Sequence, residues 1–388
     1  MEIKLDRKYF GRKYMIKMIQ GKNAIPDNWN YKAPHGVDLY IVRDHEELSK
    51  HADKWDELLL KAKAEPTNSY AWISSFMKNL VEADEAWLCM FAYRNGELIG
   101  VLPLVIRKAC RILGVSVILC RPPYNVFHTY SVRCLMPPDN DEAFDIFYDC
   151  LSSVPRSIPI LKFRDITEDS MKINKRLISE FSFSENYIPL PEKYEDYHAT
   201  LSSNTKRQLK KGTKKLDGNH DVSFIDREAD KTAGENFNMF LDTEHANWKG
   251  REKTSIKSVP EHTRALHDIA VEMHKRGWME WGTIMADGKP VAAHYSINVN
   301  RCVYIIKIGF DDQFSAYSPG NLLFNKIIEE SCNSGNVDEI NVCADCDWHN
   351  KWQVKSRDKY HVTIIPDIPI IGFLAHKGYK YLAKYLKR

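Results

Sequence analysis

Two short turns constrain this chain more than any other feature. Asp287-Gly288 separates the β-rich runs 278–286 and 290–297, and Asn95-Gly96 separates 87–93 from 98–106. Asp-Gly or Asn-Gly between such runs is a strong hairpin signal, because a type I′ turn needs positive φ at both central residues. The two turns stand 192 residues apart, and Trp87 and Trp278, which open the first strands, stand 191 apart. A single repeat of that length points to a duplicated domain, since solenoid periods are about 20 to 50 residues.

The order of elements around the turns repeats as well. In the second half, 222–225 reads as a strand. A helix over 235–247 carries Phe237, Phe240 and Leu241 on one face, and a helix over 260–276 carries Leu266, Ile269, Ala270 and Met273. Pro260 and Gly277 sit where a helix start and stop want them. A three-strand meander follows, over 278–286, 290–297 and 302–310. Ser318-Pro-Gly-Asn321 then opens a helix whose apolar stripe is Leu323, Phe324, Ile327, Ile328 and Cys332, and 339–342 reads as a buried strand. The first half offers a strand at 39–42, helices at 46–61 and 69–80, strands at 87–93, 98–106 and 111–120, a helix at 141–151 and a strand at 158–163.

A helix start behind a strand gathers orphan N–H groups at the positive end of the macrodipole, so 317–322 is a candidate anion site, with an ordinary helix cap as the alternative. The first half has Arg121-Pro-Pro-Tyr124 and Pro137-Pro138 in the matching region. It is therefore expected to lack a cofactor site and to shape a substrate cleft. Between the halves, Lys206, Lys210 and Lys214, and likewise Arg207, Lys211 and Lys215, fall at i, i+4 spacing and form adjacent basic rows. Either a polyanion offsets that crowding or the segment is a solvated basic linker.

At 388 residues two domains are expected, and 44% hydrophobic with 28% charged residues is a soluble globular composition. A net charge of +3 gives no argument for DNA. No leading apolar segment of signal-peptide type is found, and the run 112–120 is only strand-sized. Nine scattered cysteines suggest reduced, buried thiols and a cytoplasmic setting. Cys343-x-x-Cys346 with His349 lacks further ligands at zinc spacing, so no metal is expected. No P-loop, Gly-x-Gly-x-x-Gly or Gly-x-Ser-x-Gly occurs, so nucleotide hydrolysis and serine hydrolase chemistry have no support. His294, mid-strand, and His349 with Asp345, past the last strand, are the candidate proton carriers, although a lone strand histidine is more often a satisfied core residue. The segment 373–388 interleaves aromatics with lysines, which suits a peripheral contact with an anionic membrane or packing on the protein's own body.

Glu244-His-Ala-Asn-Trp-Lys-Gly250, Gly309-Phe-Asp-Asp312, Tyr317-Ser-Pro-Gly320, Asp345…Lys351-Trp352 and the Ser203…Arg207 stretch resemble the CelD/BioF2-like GNAT acetyltransferase family, related to the FemAB-type double-GNAT transferases. The resemblance spans roughly 40 to 360. It implies an α/β fold (α+β, mixed sheets) of two tandem GNAT-like domains, over 37–195 and 196–365, between a basic arm at 1–36 and a tail at 366–388. It implies acetyl-CoA or another acyl-CoA as co-substrate, without metal, bound by Ile308, Gly309, Phe310, Tyr317, Ser318, Pro319, Gly320, Asn321 and Leu322. Acceptor contacts are expected from Arg207, Glu244, Trp248, Lys249, Lys351 and Trp352, and catalysis from His294, Asp345 and His349. The expected reaction is N-acylation, most simply N-acetylation, of a sugar, polysaccharide precursor or lipid. The alternatives are a FemAB-like aminoacyl transferase fed by charged tRNA and a non-catalytic subunit of a glycan assembly complex. Two departures stand out. Ser-Pro-Gly replaces the Arg/Gln-x-x-Gly-x-Gly/Ala loop of ordinary GNATs, and Cys343 to His349 replaces an Asp-x-Gly-x-Gly-like turn followed by Tyr-Lys.

Overall fold

The computed structural model describes residue 25 and residues 31–365, apart from 113, 124–130, 139, 168–176 and 227–231. Most of the arm at 1–36 and the whole tail at 366–388 lie outside the described residues. The first half runs β1 (Val37–Val42), α1 (His45–Ser49), α2 (Ala52–Lys61), α3 (Tyr70–Asn79), β2 (Ala86–Arg94), β3 (Glu97–Ile112), β4 (Val115–Arg121), α4 (Glu142–Ser152) and β5 (Ser157–Thr167). Next come β6 (Leu177–Pro189), α5 (Tyr194–Thr200) and the basic helix α6 (Ser203–Asp217). The second half runs β7 (Val222–Asp226), α7 (Ala233–His245), α8 (Trp248–Arg251), α9 (Pro260–Lys275), β8 (Met279–Ala286), β9 (Lys289–Val299), β10 (Cys302–Phe310), α10 (Pro319–Asn333), β11 (Glu339–Asn341) and β12 (Lys355–Ile364).

Local chemistry explains most of these boundaries. Asn95 and Gly96 have φ of 49° and 80°, and Asp287 and Gly288 have 50° and 75°, as paired positive-φ hairpin turns require. Asn300 and Arg301 make a third such turn, at 55° and 61°. Ser69 caps α3 and Ser202 caps α6, while Thr232 and Glu235 form a capping box on α7.

The strands form one sheet in the order β1-β2-β3-β4-β5-β12-β6-β11-β10-β9-β8-β7. Each half contains one parallel pair, β4 with β5 and β10 with β11, and each pair is joined through a crossover helix, α4 or α10. The seam between the halves is an exchange of strands. β12, last in the chain, pairs with β5 of the first half and with β6, and β6 in turn pairs with β11. Both β6 and β12 escape a reading of sequence pattern. Charged residues interrupt β12, and Phe181 of β6 is exposed, so neither strand shows a clean apolar alternation.

Helices cover both faces. On the front face α1–α3, α7 and α9 share one apolar cluster that includes Trp55, Trp72 and Phe91 from the first half and Phe237, Phe240 and Tyr295 from the second. α3 packs on α9, where Ser75 Oγ donates to the Ala265 carbonyl at 2.8 Å and Lys78 meets Asp268 at 2.9 Å. Arg276 pairs with Asp56 across the same junction. On the back face α4 lies under the first half, and α5, α6 and α10 lie under the second around Leu323, Phe324, Ile328 and Trp352. No described helix is long and apolar enough to cross a membrane.

Candidate active site

The sheet opens in one place. β10 and β11 are paired only from Cys302↔Glu339 to Tyr304↔Asn341, after which β11 stops and β10 continues to Phe310. A bulge at Ile306 re-aims β10 as its partner ends. Residues 306–310 therefore keep β9 on one side and present an edge without a ladder on the other. Beyond β11 the chain turns sharply at Cys343, whose φ is 67° and whose N–H donates to Asn341 Oδ1 at 2.8 Å. A 3-10 turn over Asp347–Trp352 follows.

Behind this gap stands the first turn of α10. Ser318 is left-handed at φ 55°, Pro319 is buried, and Tyr317, Gly320, Asn321 and Leu322 are half-buried at the surface. The Asn321 and Leu322 amides turn back to the Ser318 carbonyl at 3.0 and 3.3 Å, and Pro319 has no N–H. The cluster of amides expected here thus reduces to the Gly320 N–H, which has no partner among the described residues. Side chains add to it. Lys351 Nζ donates to Asn321 Oδ1 at 2.7 Å, and Lys215 Nζ lies 4.9 Å from the centre of the Tyr317 ring. The basic helix is seated on this corner through Gly212, where a Cβ would come within 2.9 Å of the Tyr317 carbonyl oxygen. On α6, Lys206 binds the Ala199 carbonyl and Arg207 binds Asn204 Oδ1, both at 2.9 Å. Lys210, Lys211 and Lys214 are exposed and pair with no carboxylate among the described residues.

In front of the gap the side chains are charged and largely enclosed. Lys307 pairs in register with Tyr295 and so shares the front face. α7 rests on Gly309, where a Cβ would lie 2.7 Å from Glu244 Cα. Glu244 is 2% exposed; its Oε2 accepts the Ile256 N–H at 3.0 Å and its Oε1 lies 3.5 Å from Lys249 Nζ. Burial, then the nearby Lys249 charge, lowers the Lys307 ammonium below the ordinary lysine value against the pull of Glu244.

Next along the same face Lys359, 1% exposed, meets Glu65 Oε1 at 2.7 Å and Glu185 Oε1 at 3.1 Å. Arg357 lies 3.2 Å from Glu185 and also pairs with Glu339. Burial, followed by the Glu65 charge, pushes the Glu185 carboxyl up to about 7, with Lys359 and Arg357 opposing. Burial alone would lower the Lys359 ammonium, but Glu65 and Glu185 hold it above its ordinary value. Cys343 sits among these charges; burial first, then Glu185 and Glu65, push its thiol up.

The structure separates residues that the sequence groups together. His294 pairs with Ile308 on the back face, so the sheet stands between it and Glu244. It is 5% exposed, its Nδ1 is 2.8 Å from Ser296 Oγ, and burial pushes its pKa down to about 3. A ring so reluctant to take a proton is a poor base near neutrality. His349 is buried, receives Asn186 Nδ2 on its Nδ1 at 3.3 Å, and is held below its ordinary pKa first by burial. Asp345 accepts from the same amide at 3.0 Å. His349 and Asp345 therefore share one bridge, away from His294. Trp352 is fully buried, edge-on to Phe324 at 4.9 Å, and belongs to the core. Trp248 is exposed on α8, and Arg207 is exposed on α6. Ile308, Gly309 and Phe310 line the open edge of β10, and Gly320 lies against Phe310. Lys307, Glu185, Lys359 and Glu65 escape the sequence reading. The available signal is a charge set inside an apolar or alternating run.

Residues 203–348 match the model of the acetyltransferase (GNAT) domain. Among solved structures, the crystal structure of FemX covers 86% of this chain and 99% of its own at a TM-score of 0.56 and 9% identity. A conserved protein of unknown function from Bacteroides thetaiotaomicron VPI-5482 covers 84% and 100% at 0.51 and 12% identity. The C-terminal domain of a protein described as a lysylphosphatidylglycerol synthetase from Agrobacterium fabrum covers 81% and 92% at 0.50 and 8% identity. No curated protein matches the sequence. At such identities the likeness is one of fold, and it extends over both halves.

Proposed function

We propose that this chain, two tandem GNAT-like domains with an acetyltransferase (GNAT) domain over residues 203–348, transfers an acyl group from acyl-CoA to an amine held in front of the β10–β11 gap. The observation that carries this reading is the parting of β10 from β11 between a basic helix-start corner behind and a charged cleft before. The residues present suit the co-substrate. The Gly320 N–H, Lys351 and the exposed lysines of α6 offer donors and positive charge to a diphosphate. The open edge of 306–310 offers backbone groups to an extended, amide-bearing arm.

Bound acyl-CoA supplies an acyl group activated as a thioester. The protein's part is placement and proton handling. Backbone N–H groups of the β10 edge near Ile308 to Phe310 are suited to polarise the acyl oxygen. Glu185 and Lys307, both displaced toward their neutral forms beside the gap, are assigned the proton that the amine loses as the amide bond forms and the thiol departs. Glu244 and Lys249 flank the same space and are assigned to acceptor contact. The resemblance in sequence supports an amino group on a sugar, polysaccharide precursor or lipid.

Acetyl-CoA is expected to raise the melting temperature saturably. Lys351→Ala should weaken that binding about tenfold, as loss of one charge-assisted contact does. Glu185→Gln and Lys307→Gln should each change the pH profile of turnover more than they change acetyl-CoA affinity. No thermal response to acetyl-CoA would sink the assignment. A second reading, donor supply from charged tRNA, is favoured by the exposed lysines of α6, since phosphate contacts are blind to sequence. Retention of aminoacyl-tRNA without an acetyl-CoA response selects it; retention of neither points to a binding subunit.

A further inference from the structure

Of the 3-10 turn Asp347–Trp352 the proposed reaction uses only Lys351, yet the turn is held from both ends. At its start Asn186 of β6 donates from Nδ2 to Asp345 Oδ1 at 3.0 Å and meets His349 Nδ1 at 3.3 Å. The Oδ1 of the same amide accepts from Ser356 Oγ of β12 at 2.6 Å. Asp345 and His349 thereby tie the turn to the central strands. At its end the Trp352 ring is fully buried against Phe324, and the Tyr197 hydroxyl donates to the Trp352 carbonyl at 2.7 Å.

With three residues per turn, a 3-10 segment sends side chains i and i+3 in one direction. Trp348 and Lys351 are such a pair, and both reach the first turns of α10. Lys351 Nζ donates to Asn321 Oδ1 at 2.7 Å, and the Trp348 ring lies 5.2 Å from that of Phe324 at 85°. Asn321 and Phe324 are likewise three apart on α10, so the two pairs lie side by side. Asp347, one residue before Trp348, leaves the turn on another side.

Packing accounts for neither member of the Trp348–Lys351 pair. Trp348 is 41% exposed, although a large ring gains by burial. Phe324 and the His349 ring, 4.2 Å away at 74°, brace it without covering it. Lys351 is half-buried and forms no ion pair with a carboxylate among the described residues, and burial holds its ammonium below the ordinary lysine value. A braced, uncovered indole beside an ammonium without a counter-ion suits a planar base joined to a phosphate.

We infer that this turn is the nucleotide subsite of the acyl donor, with the adenine stacked on Trp348 and the 5′-diphosphate held by Lys351. The choice of nucleotide rests on the acyl-CoA reading above. The turn adds to that reading a residue that meets the base, where the corner at Gly320 meets only phosphate.

Calorimetric titration of the full chain with ADP and with inorganic pyrophosphate tests this. ADP should bind saturably, and pyrophosphate, which lacks the base, should bind about tenfold more weakly or worse, the share of one base–aromatic stack. Trp348→Ala should bring ADP down to the level of pyrophosphate and leave pyrophosphate itself unchanged, whereas Trp348→Phe should keep most of the preference. Lys351→Ala should weaken both probes. If Trp348→Ala does not fold, Trp348→Gln takes its place, and the two probes on the unaltered protein still decide. ADP binding no better than pyrophosphate, or a preference for ADP that survives the loss of the ring, overturns the inference. The acyl-CoA reading fails by a different sign, the absence of a thermal response to acetyl-CoA. A Trp348-dependent preference for ADP in a protein that ignores acetyl-CoA would uphold the subsite and sink that reading.

Discussion

The two halves place a parallel pair of strands at the same point in their order, and they treat it differently. In the first half β4 and β5 stay zipped over five register positions, from Ser116↔Ser157 to Cys120↔Leu161. Just beyond, Arg121 and Glu85 form an enclosed ion pair at 2.7 Å, with side chains 9% and 5% exposed. In the second half the corresponding pair lasts three positions, and the space beyond it is lined by Lys307 and Cys343. The same topology thus yields a plugged seam in one half and an open edge in the other. Only a strand that stops early leaves backbone donors and acceptors facing a cleft.

The largest effect is expected where the seam and the gap meet. Lys359→Met leaves Glu65 and Glu185 buried without their cation, and should cost about 3–5 kcal/mol in urea unfolding. Adding Glu185→Gln should restore part of that loss. An unchanged midpoint for Lys359→Met would mean that the buried charges do not tie the halves together.

Next in size is a dependence on pH. The folded Glu185 carboxyl lies at about 7, above its ordinary 4.5, so the folded state binds the extra proton between those values. Its contribution is fully present below about 4.5 and is lost as pH rises through about 7. Unfolding free energy should therefore fall across that window by on the order of 3 kcal/mol. Glu185→Gln should flatten this slope, and a slope unaltered in that variant would refute the assignment.

A matched pair of glycine variants sharpens the contrast between the halves. Gly309→Val drives a side chain into α7 at the open edge, and Gly100→Val drives one into α4, where a Cβ would lie 2.4 Å from Ala143 Cβ. Each should cost about 1–3 kcal/mol by overpacking. Only Gly309→Val should lower the turnover of the folded fraction strongly, as read by initial rates at equal folded concentration. Equal losses of turnover would place function in both halves. The smallest effect is expected at Ser318, whose φ of 55° suits glycine better than serine. Ser318→Gly should raise stability by about 0.5–1 kcal/mol if no hydrogen bond of the hydroxyl is lost. Thermal unfolding checks it.

Much of this architecture is local and therefore legible in the sequence. The duplicated order, the paired positive-φ turns, the capped helices and the start of α10 at Pro319 follow from residue types and their spacing. Residues 321 and 351 can be named from the sequence as part of a site, but their contact through Lys351 Nζ and Asn321 Oδ1 cannot. What only the tertiary structure decided is pairing and facing. β12 returns from the chain's end to lie between β5 and β6, and β11 stops after three residues. His294 falls behind the sheet while Lys307 falls before it. Dihedral preference and periodicity act over a few residues. Strand partners, by contrast, are chosen by hydrogen bonds and packing between segments far apart in the chain, and no short stretch of sequence contains both partners.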